Sequence, residues 1–277
     1  MAEQDKETKE KEWKFKAERR KLTPQEEQWK KTAFRIMAFF LILFVAQILV
    51  YTFVWSFNDW VCVLIIFIVL VMPGYLSNAG MLIVGGGKPI DGGRMAKDGR
   101  RLFGPGKTWR GFIGGPLFVG IPIALGIHAI FYFTWPQIED YIIEMFSAGG
   151  IYDLFARDPN DAVELFKLYL VGAHTEESLL TGFFRILPRV ISVSYATALG
   201  DLLGSWMKRR LGRKRGEPVW LVDQLDFIFI VLLASLPFVT INMDFLTIVI
   251  FSLIFTPSLT VIANSITYFL GHKSVPY

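Results

Sequence analysis

GMLIVGGGKPIDGGRMAKDGRRLFGPGKTWRGFIGG runs from Gly80 to Gly115. It holds 12 glycines, seven Lys or Arg and two Asp, and it sits between two long apolar segments. Glycine turns the backbone with φ > 0 and lets it approach a ligand closely. Backbone N–H groups and cations together suit an anion, above all a phosphate. The plainer reading is a solvated loop whose Lys and Arg obey the positive-inside rule. Topology has no use for glycine, however, so the glycine density favours a phosphate-binding loop at a membrane surface.

The flanks set the class. Over 277 residues, 53% are hydrophobic and 19% charged, too apolar for a soluble domain with one core and suited to a polytopic membrane protein. The single cysteine, Cys62, lies in an apolar run, which excludes a disulfide framework and leaves it a small side chain without chemistry. A cleavable secretory signal is not expected, because the first 31 residues are charged throughout and the apolar run after them exceeds an h-region.

Six spans are expected in an all-α transmembrane bundle: Ala33 to Val54, Val61 to Val84, Phe112 to Trp135, about Ile186 to Trp206, Leu225 to Ile241 and Phe245 to Leu270. Pro73 and Gly74 interrupt the second, with Tyr75, Ser77 and Asn78 just beyond; either a kink or a polar cavity fits. The third is rich in Gly and Ala, which allow close helix packing. Ahead of the first span, Met1 to Lys31 carries ten Lys or Arg against eight acids, with Pro24 as a breaker. Residues 32–60 form an added amino-terminal span and 61–271 the main domain. Pro136 to Arg185 reads as a long loop with nine acids against three cations and an amphipathic piece near Ala162 to Val171. The loop before Phe112 carries seven cations and Met207 to Glu217 carries six, so both basic loops and both tails belong in the cytoplasm and the acidic loop outside.

Four polar clusters reach the cytoplasmic face: Asn78 with the glycine loop, Lys107-Thr108-Trp109-Arg110, Asp201 with Ser205, Lys208 and Arg209, and Asp223 with Asp226. Asp201, Ser205 and Lys208 or Arg209 recur at helical spacing and share a face. An intrahelical Asp–Lys pair is the plain alternative. Asp223 and Asp226 open the fifth span, where capping accounts for one carboxylate but hardly for two opposite a third. Three carboxylates suit Mg²⁺, which prefers oxygen ligands shared with substrate phosphates. GPGKT, with Gly104 and Gly106 before Lys107, invites a P-loop reading that fails, since Arg101 stands where the pattern needs glycine. His128, His174 and His272 are too scattered for a metal site, and no nucleophile–base triad is evident.

PGYLSNAG at Pro73 to Gly80, GGGKPIDGG at Gly85 to Gly93, DGRRLFGPGKTWRG at Asp98 to Gly111 and GDLLGSWMKRRLGRKRGEPVWLVDQLDF at Gly200 to Phe227 together resemble the archaeal CDP-archaeol synthases. These are relatives of the phosphatidate cytidylyltransferases. The His-Gly-Gly element of the broader family is replaced by Glu217-Pro218-Val219-Trp220, which favours the ether-lipid branch. The resemblance implies a membrane enzyme that transfers CMP from CTP to an unsaturated dialkylglycerol phosphate and releases pyrophosphate. It assigns Mg²⁺ to Asp223 and Asp226, with Asp201 as ligand or orienter. It puts Lys107, Lys208 and Arg209 on the triphosphate, wrapped by the glycine loop with Gly104, Gly106, Thr108 and Arg110. Asn78 would line the nucleotide cavity, and Ser205 belongs to the same signature. The implied partners are CTP, an isoprenoid ether-lipid phosphate and the bilayer, not nucleic acid. The alternative is a transporter or flippase for an anionic or lipid-linked solute, for which broken helices and midplane polar groups are equally typical.

Overall fold

The computed structural model describes residues 22–147, 158–214, 217–220, 222–239 and 243–270. Most of the charged amino tail, residues 148–157 of the acidic loop, 215, 216 and 221 of the second basic loop, and the carboxyl tail with His272 and Lys273 lie outside them.

The described residues form helices without named strands: α1 Pro24–Val54, α2 Phe57–Val84, α3 Trp109–Gly115, α4 Ile121–Phe133, α5 Trp135–Ser147, α6 Pro159–Val171, α7 Leu179–Arg210, α8 Val222–Ser235 and α9 Met243–Phe269. A π-turn, Pro116–Gly120, joins α3 to α4, so Trp109–Phe133 runs as one span. Five helices are long and apolar enough to cross a membrane: α1, α2, Trp109–Phe133, α7 and Phe245–Phe269. The segment expected as the fifth span is shorter, an apolar helix over Leu225–Phe238 that includes a 3₁₀ turn. The helical membrane bundle stands, with five helices long enough to span and one short apolar helix among the described residues.

Two local expectations are corrected, while Pro24 stands at the first position of α1, where a break before the helix fits. Thr23 and Glu26 cap each other there, with Thr23 N–H to Glu26 Oε2 at 2.9 Å and Glu26 N–H to Thr23 Oγ1 at 3.3 Å. Pro73 and Gly74 do not break α2. The helix passes through both, the Ser77 hydroxyl donates to the Pro73 carbonyl at 2.6 Å, and a Cβ on Gly74 would lie 2.5 Å from Thr197 Oγ1. They are places of close helix approach. The stretch 136–185 is no open loop, because it holds α5, α6 and the start of α7. Asp158 caps α6 by accepting from Asn160 and Asp161, and Gly172 ends it at φ 78°.

Residues 46–253 form one compact unit, and 22–45 with 254–270 another. In the larger, Val63, Ile66, Phe67 and Leu70 of α2 are buried, as are Val190 and Val193 of α7, Ile228 and Val231 of α8, and Ile248 and Phe251 of α9. At about 25 cal/mol per Å² removed from water, such side chains contribute about 1.5–3 kcal/mol each where water is the alternative. The glycines of the third span serve as expected: a Cβ on Gly115 would lie 2.5 Å from the Met81 backbone nitrogen, and one on Gly80 2.6 Å from the Gly115 carbonyl. In the smaller unit, Phe34 packs on Tyr268 and Phe269, and the Ser258 hydroxyl donates to the Phe40 carbonyl at 3.1 Å.

Candidate active site

The glycine stretch between α2 and α3 folds into a lobe. Ile90 N–H donates to the Lys107 carbonyl at 2.8 Å and Trp109 N–H to the Lys88 carbonyl at 3.2 Å, which pins the two ends of the lobe together. Glycines 86, 87, 92, 93, 99 and 104 all have positive φ. Most have open space where a Cβ would go, so backbone conformation, not crowding, requires glycine there.

Asp91 is the hub of the lobe. Its buried carboxylate accepts from Arg101 Nη2 at 2.6 Å and Nε at 3.2 Å, Gly93 N–H at 3.0 Å, Gly104 N–H at 3.0 Å and Phe103 N–H at 3.3 Å. Burial alone pushes this carboxyl up, but the Arg101 guanidinium and the three N–H groups outweigh it and hold it well below the usual carboxylate range. Two further arginines clamp the lobe to the end of α7. Arg209 Nε donates to the Phe103 carbonyl at 3.3 Å, and Arg210 reaches the Arg101 carbonyl at 2.7 Å and Asp98 at 2.5 Å.

This scaffold delivers Lys107 to the bundle. Lys107 Nζ lies 2.5 Å from both oxygens of Asp201, ninety-four residues on. A second pair joins α7 to α8, with Lys208 Nζ 2.6 Å from Asp223 Oδ1. Asp223 also accepts the Val219 N–H at 3.1 Å, which ties the preceding loop to the first turn of α8. The lysine of α7 therefore pairs across helices and not with Asp201 on its own helix. Between these pairs stands Asp226, which is in electrostatic reach of Asp201, Lys208 and Asp223, and no cation among the described residues forms an ion pair with it. Its closeness to α7 depends on glycine: a Cβ on Gly204 would lie 2.4 Å from Asp226 Oδ2, and one on Gly200 2.9 Å from the Asp226 carbonyl.

The other expected residues fall as follows. Thr108 is buried and caps α3, its hydroxyl accepting from Gly111 N–H at 3.2 Å. Ser205 is buried on the face shared by Asp201 and Lys208. Gly106 lines a small cavity with Lys107, Thr108 and Asp201. Gly104 is bonded to Asp91 and packs beside Arg209. Arg209 spends its guanidinium on lobe and loop carbonyls. Arg110 is exposed, its methylenes over Gly87. Asn78 is exposed on α2, one turn before Met81, which does line the cavity. Among the described residues no group of three or more His, Cys, Asp or Glu is arranged as a ready metal site.

Two larger cavities adjoin these groups. A basin of about 640 Å³ lies on the lobe, lined by Lys88, Asp91, Gly92, Arg94, Arg101 and Trp109 among others. A cavity of about 420 Å³ with almost wholly apolar walls opens between α7 and α8, lined by Leu203, Trp206, Met207, Leu225 and Phe229, and Asp226 borders it.

Sequence comparison covers this same region. A family model described as CarS-like, CDP-archaeol synthase, matches residues 60–151 and 169–277. The CDP-archaeol synthase of Thermococcus onnurineus is 34% identical over 207 residues, which is 75% of this chain and 93% of the relative. That of Methanosarcina acetivorans is 36% identical over 213 residues, 74% of this chain and 99% of the relative. A solved structure of an intramembrane enzyme for archaeal membrane lipid biosynthesis aligns over 70% of this chain and 92% of its own, with 23% identity and a TM-score of 0.41. From the family match and these identities, the chain belongs to the CarS-like CDP-archaeol synthase family.

Proposed function

We infer that this membrane-embedded cytidylyltransferase forms CDP-archaeol by transferring CMP from CTP to 2,3-di-O-geranylgeranylglyceryl 1-phosphate, with release of pyrophosphate. The observation that carries the assignment of the site is the meeting of two lysine–carboxylate pairs and one unpaired carboxylate where the glycine lobe, α7 and α8 converge.

A lipid phosphate oxygen attacks the α-phosphorus of CTP, and the bond from that phosphorus to the bridging oxygen of pyrophosphate breaks. Such a transfer depends on positioning and charge stabilisation. The lipid phosphate is already ionised near neutral pH, so no strong general base is called for. Lys107 and Lys208 rest on Asp201 and Asp223, and their amines can turn to phosphate oxygens when the nucleotide arrives. Arg209 and Arg210 keep the lobe against α7, so that Arg209 serves the triphosphate by holding Phe103 and Gly104 in place. The basin on the lobe takes the nucleotide, within the usual size of a ligand site. The apolar cavity at Asp226 takes the isoprenoid chains, with the phosphate end at the carboxylates.

Asp223, Asp226 and Asp201 would hold a divalent cation, Mg²⁺, and it would supply charge neutralisation shared between carboxylate and phosphate. The residues fit in donor chemistry: all are hard oxygen ligands, and Asp226 lacks a cationic partner among the described residues. Lys107 and Lys208 supply positive charge beside Asp201 and Asp223. The basic loops support a cytoplasmic position for this face by the positive-inside rule. Nothing in the fold or the family favours the transport alternative.

Purified protein incubated with CTP, Mg²⁺ and the lipid phosphate should release pyrophosphate in step with CDP-lipid. Movement of the lipid phosphate across a bilayer without CTP consumption would defeat this assignment.

A further inference from the structure

A second cationic cluster lies toward the other end of α7. At 1.5 Å per residue, Arg189 and Arg185 lie about 18 and 24 Å from Asp201 along the helix. With His174, Leu168, Pro237 and Phe238 they wall a cavity of about 340 Å³.

Arg189 is 4% exposed, and among the described residues it makes one hydrogen bond, Nη2 to the Tyr169 carbonyl at 2.6 Å in the last turn of α6. A guanidinium has five N–H donors. No carboxylate among the described residues pairs with it, because those nearby are taken. Glu177 accepts from both terminal nitrogens of Arg185, Nη2 at 2.6 Å, and from the His174 N–H at 2.9 Å. Glu164 meets His174 Nδ1 at 2.5 Å and also accepts from Thr175. Buried Lys167 donates to the Thr175 and Glu177 carbonyls. Among the described residues, Glu164 and Glu177 are thus engaged by other groups, and Arg189, the most deeply buried arginine there, forms no ion pair. Burying an unpaired charge is costly. A helix C-terminus offers only about half a charge in return. Fastening α6 does not itself require a cation, since His128 Nδ1 holds the next carbonyl, Leu170, at 2.7 Å.

We propose that this cavity is an anion site that takes a phosphate group, its oxygens held by Arg185 and Arg189. The planar guanidinium suits phosphate in two-pronged contacts. At this depth along a spanning helix the phosphate can belong to a lipid headgroup or to a free phosphate ion. The site is separate from the transfer site and does not rest on its assignment.

The test is thermal unfolding of the full chain in neutral detergent. Inorganic phosphate is titrated at constant ionic strength set with chloride, and phosphatidylglycerol is titrated separately against diacylglycerol, which lacks the phosphate. Tm should rise with at least one phosphate probe. The rise should persist in Lys107→Ala, be roughly tenfold weaker in apparent affinity in Arg185→Gln, and vanish in Arg189→Gln. Leu168→Glu places a carboxylate on the cavity wall, and it should raise Tm without ligand and remove the response. Stabilisation by inorganic phosphate marks a free-anion site; stabilisation by phosphatidylglycerol alone marks a headgroup site. If Arg189→Gln does not fold, Arg185→Gln and Leu168→Glu decide. No response to either phosphate probe, or an equal response in those two variants, overturns the proposal.

Discussion

Asp91→Ala should loosen the glycine lobe without unfolding the bundle. The substitution removes every acceptor that ties Gly93, Phe103, Gly104 and Arg101 together. The Arg101 ion pair contributes about 1.5–3 kcal/mol as a charge-assisted bond. The Gly104 N–H, whose bond is buried, costs a further ~1–3 kcal/mol when left unpaired. The Gly93 and Phe103 bonds are only part-buried, so water recovers much of their loss. A destabilisation of about 3–5 kcal/mol confined to the lobe follows. At 1.4 kcal/mol per decade that is roughly 10²-fold or more in local opening. Hydrogen exchange read on peptides covering 85–108 should therefore rise by that factor, while the peptides of α2 and α7 and the Tm stay as in the wild type. Transfer should fall together, through a higher KM for CTP, because Lys107 no longer stays near Asp201. Asp91→Asn keeps an acceptor and should show roughly a tenth of the effect. Acid offers a second check. A carboxylate whose folded pKa is depressed gives its stabilisation above the unfolded value of about 3.9, and loses it as pH falls from there toward the folded value. Lobe protection should then be flat from pH 5 to 8 and decline below about pH 4. Wild-type exchange in the lobe of Asp91→Ala, or unchanged CTP kinetics, would show that Asp91 does not hold the lobe.

Lys107→Ala and Lys208→Ala should each weaken CTP use strongly in protein of normal yield, whereas His174→Ala should not; unchanged CTP kinetics in both lysine variants would move the site elsewhere. Gly204→Ala brings a methyl to 2.4 Å from Asp226 Oδ2, so it should cut turnover more than an alanine exchange on the lipid-facing side of α7 does, and equal activity would show that Asp226 tolerates displacement. A cysteine at Asn160, the second residue of α6, should react with an impermeant reagent in intact cells, and labelling only after permeabilisation would invert the topology.

The long spans were legible because twenty consecutive apolar residues have few soluble explanations. The interruptions were not. Pro73 and Gly74 read as a break in the sequence, yet Ser77 and Thr197 from two helices accommodate them, and only the packed pair makes that visible. Pro136 reads as the start of a loop, yet it sits in the first turn of α5; a proline in a helix's first turn, with Ile138, Tyr141, Ile142 and Met145 recurring after it, is the signal for that helix. At the site, residue types and faces were legible from spacing. The pairings were not, since Lys107 finds Asp201 across ninety-four positions and Lys208 finds Asp223 across a loop. Arg209 looked like a phosphate ligand because charge shows in sequence, and its engagement with the Phe103 carbonyl does not. Asp91 lies in the GGGKPIDGG stretch, whose residue types do not announce five converging donors.

If the carboxylates of α7 and α8 hold the cation that CMP transfer needs, the double substitution Asp223→Asn with Asp226→Asn should abolish that hold. Asparagine keeps the shape and caps nearly as well, so the fold should survive while the charge is lost. Turnover measured as pyrophosphate release across a Mg²⁺ titration should fall by about 10²-fold or more, corresponding to ~3 kcal/mol of transition-state stabilisation. Near-normal turnover with the wild-type dependence on Mg²⁺ would contradict the account.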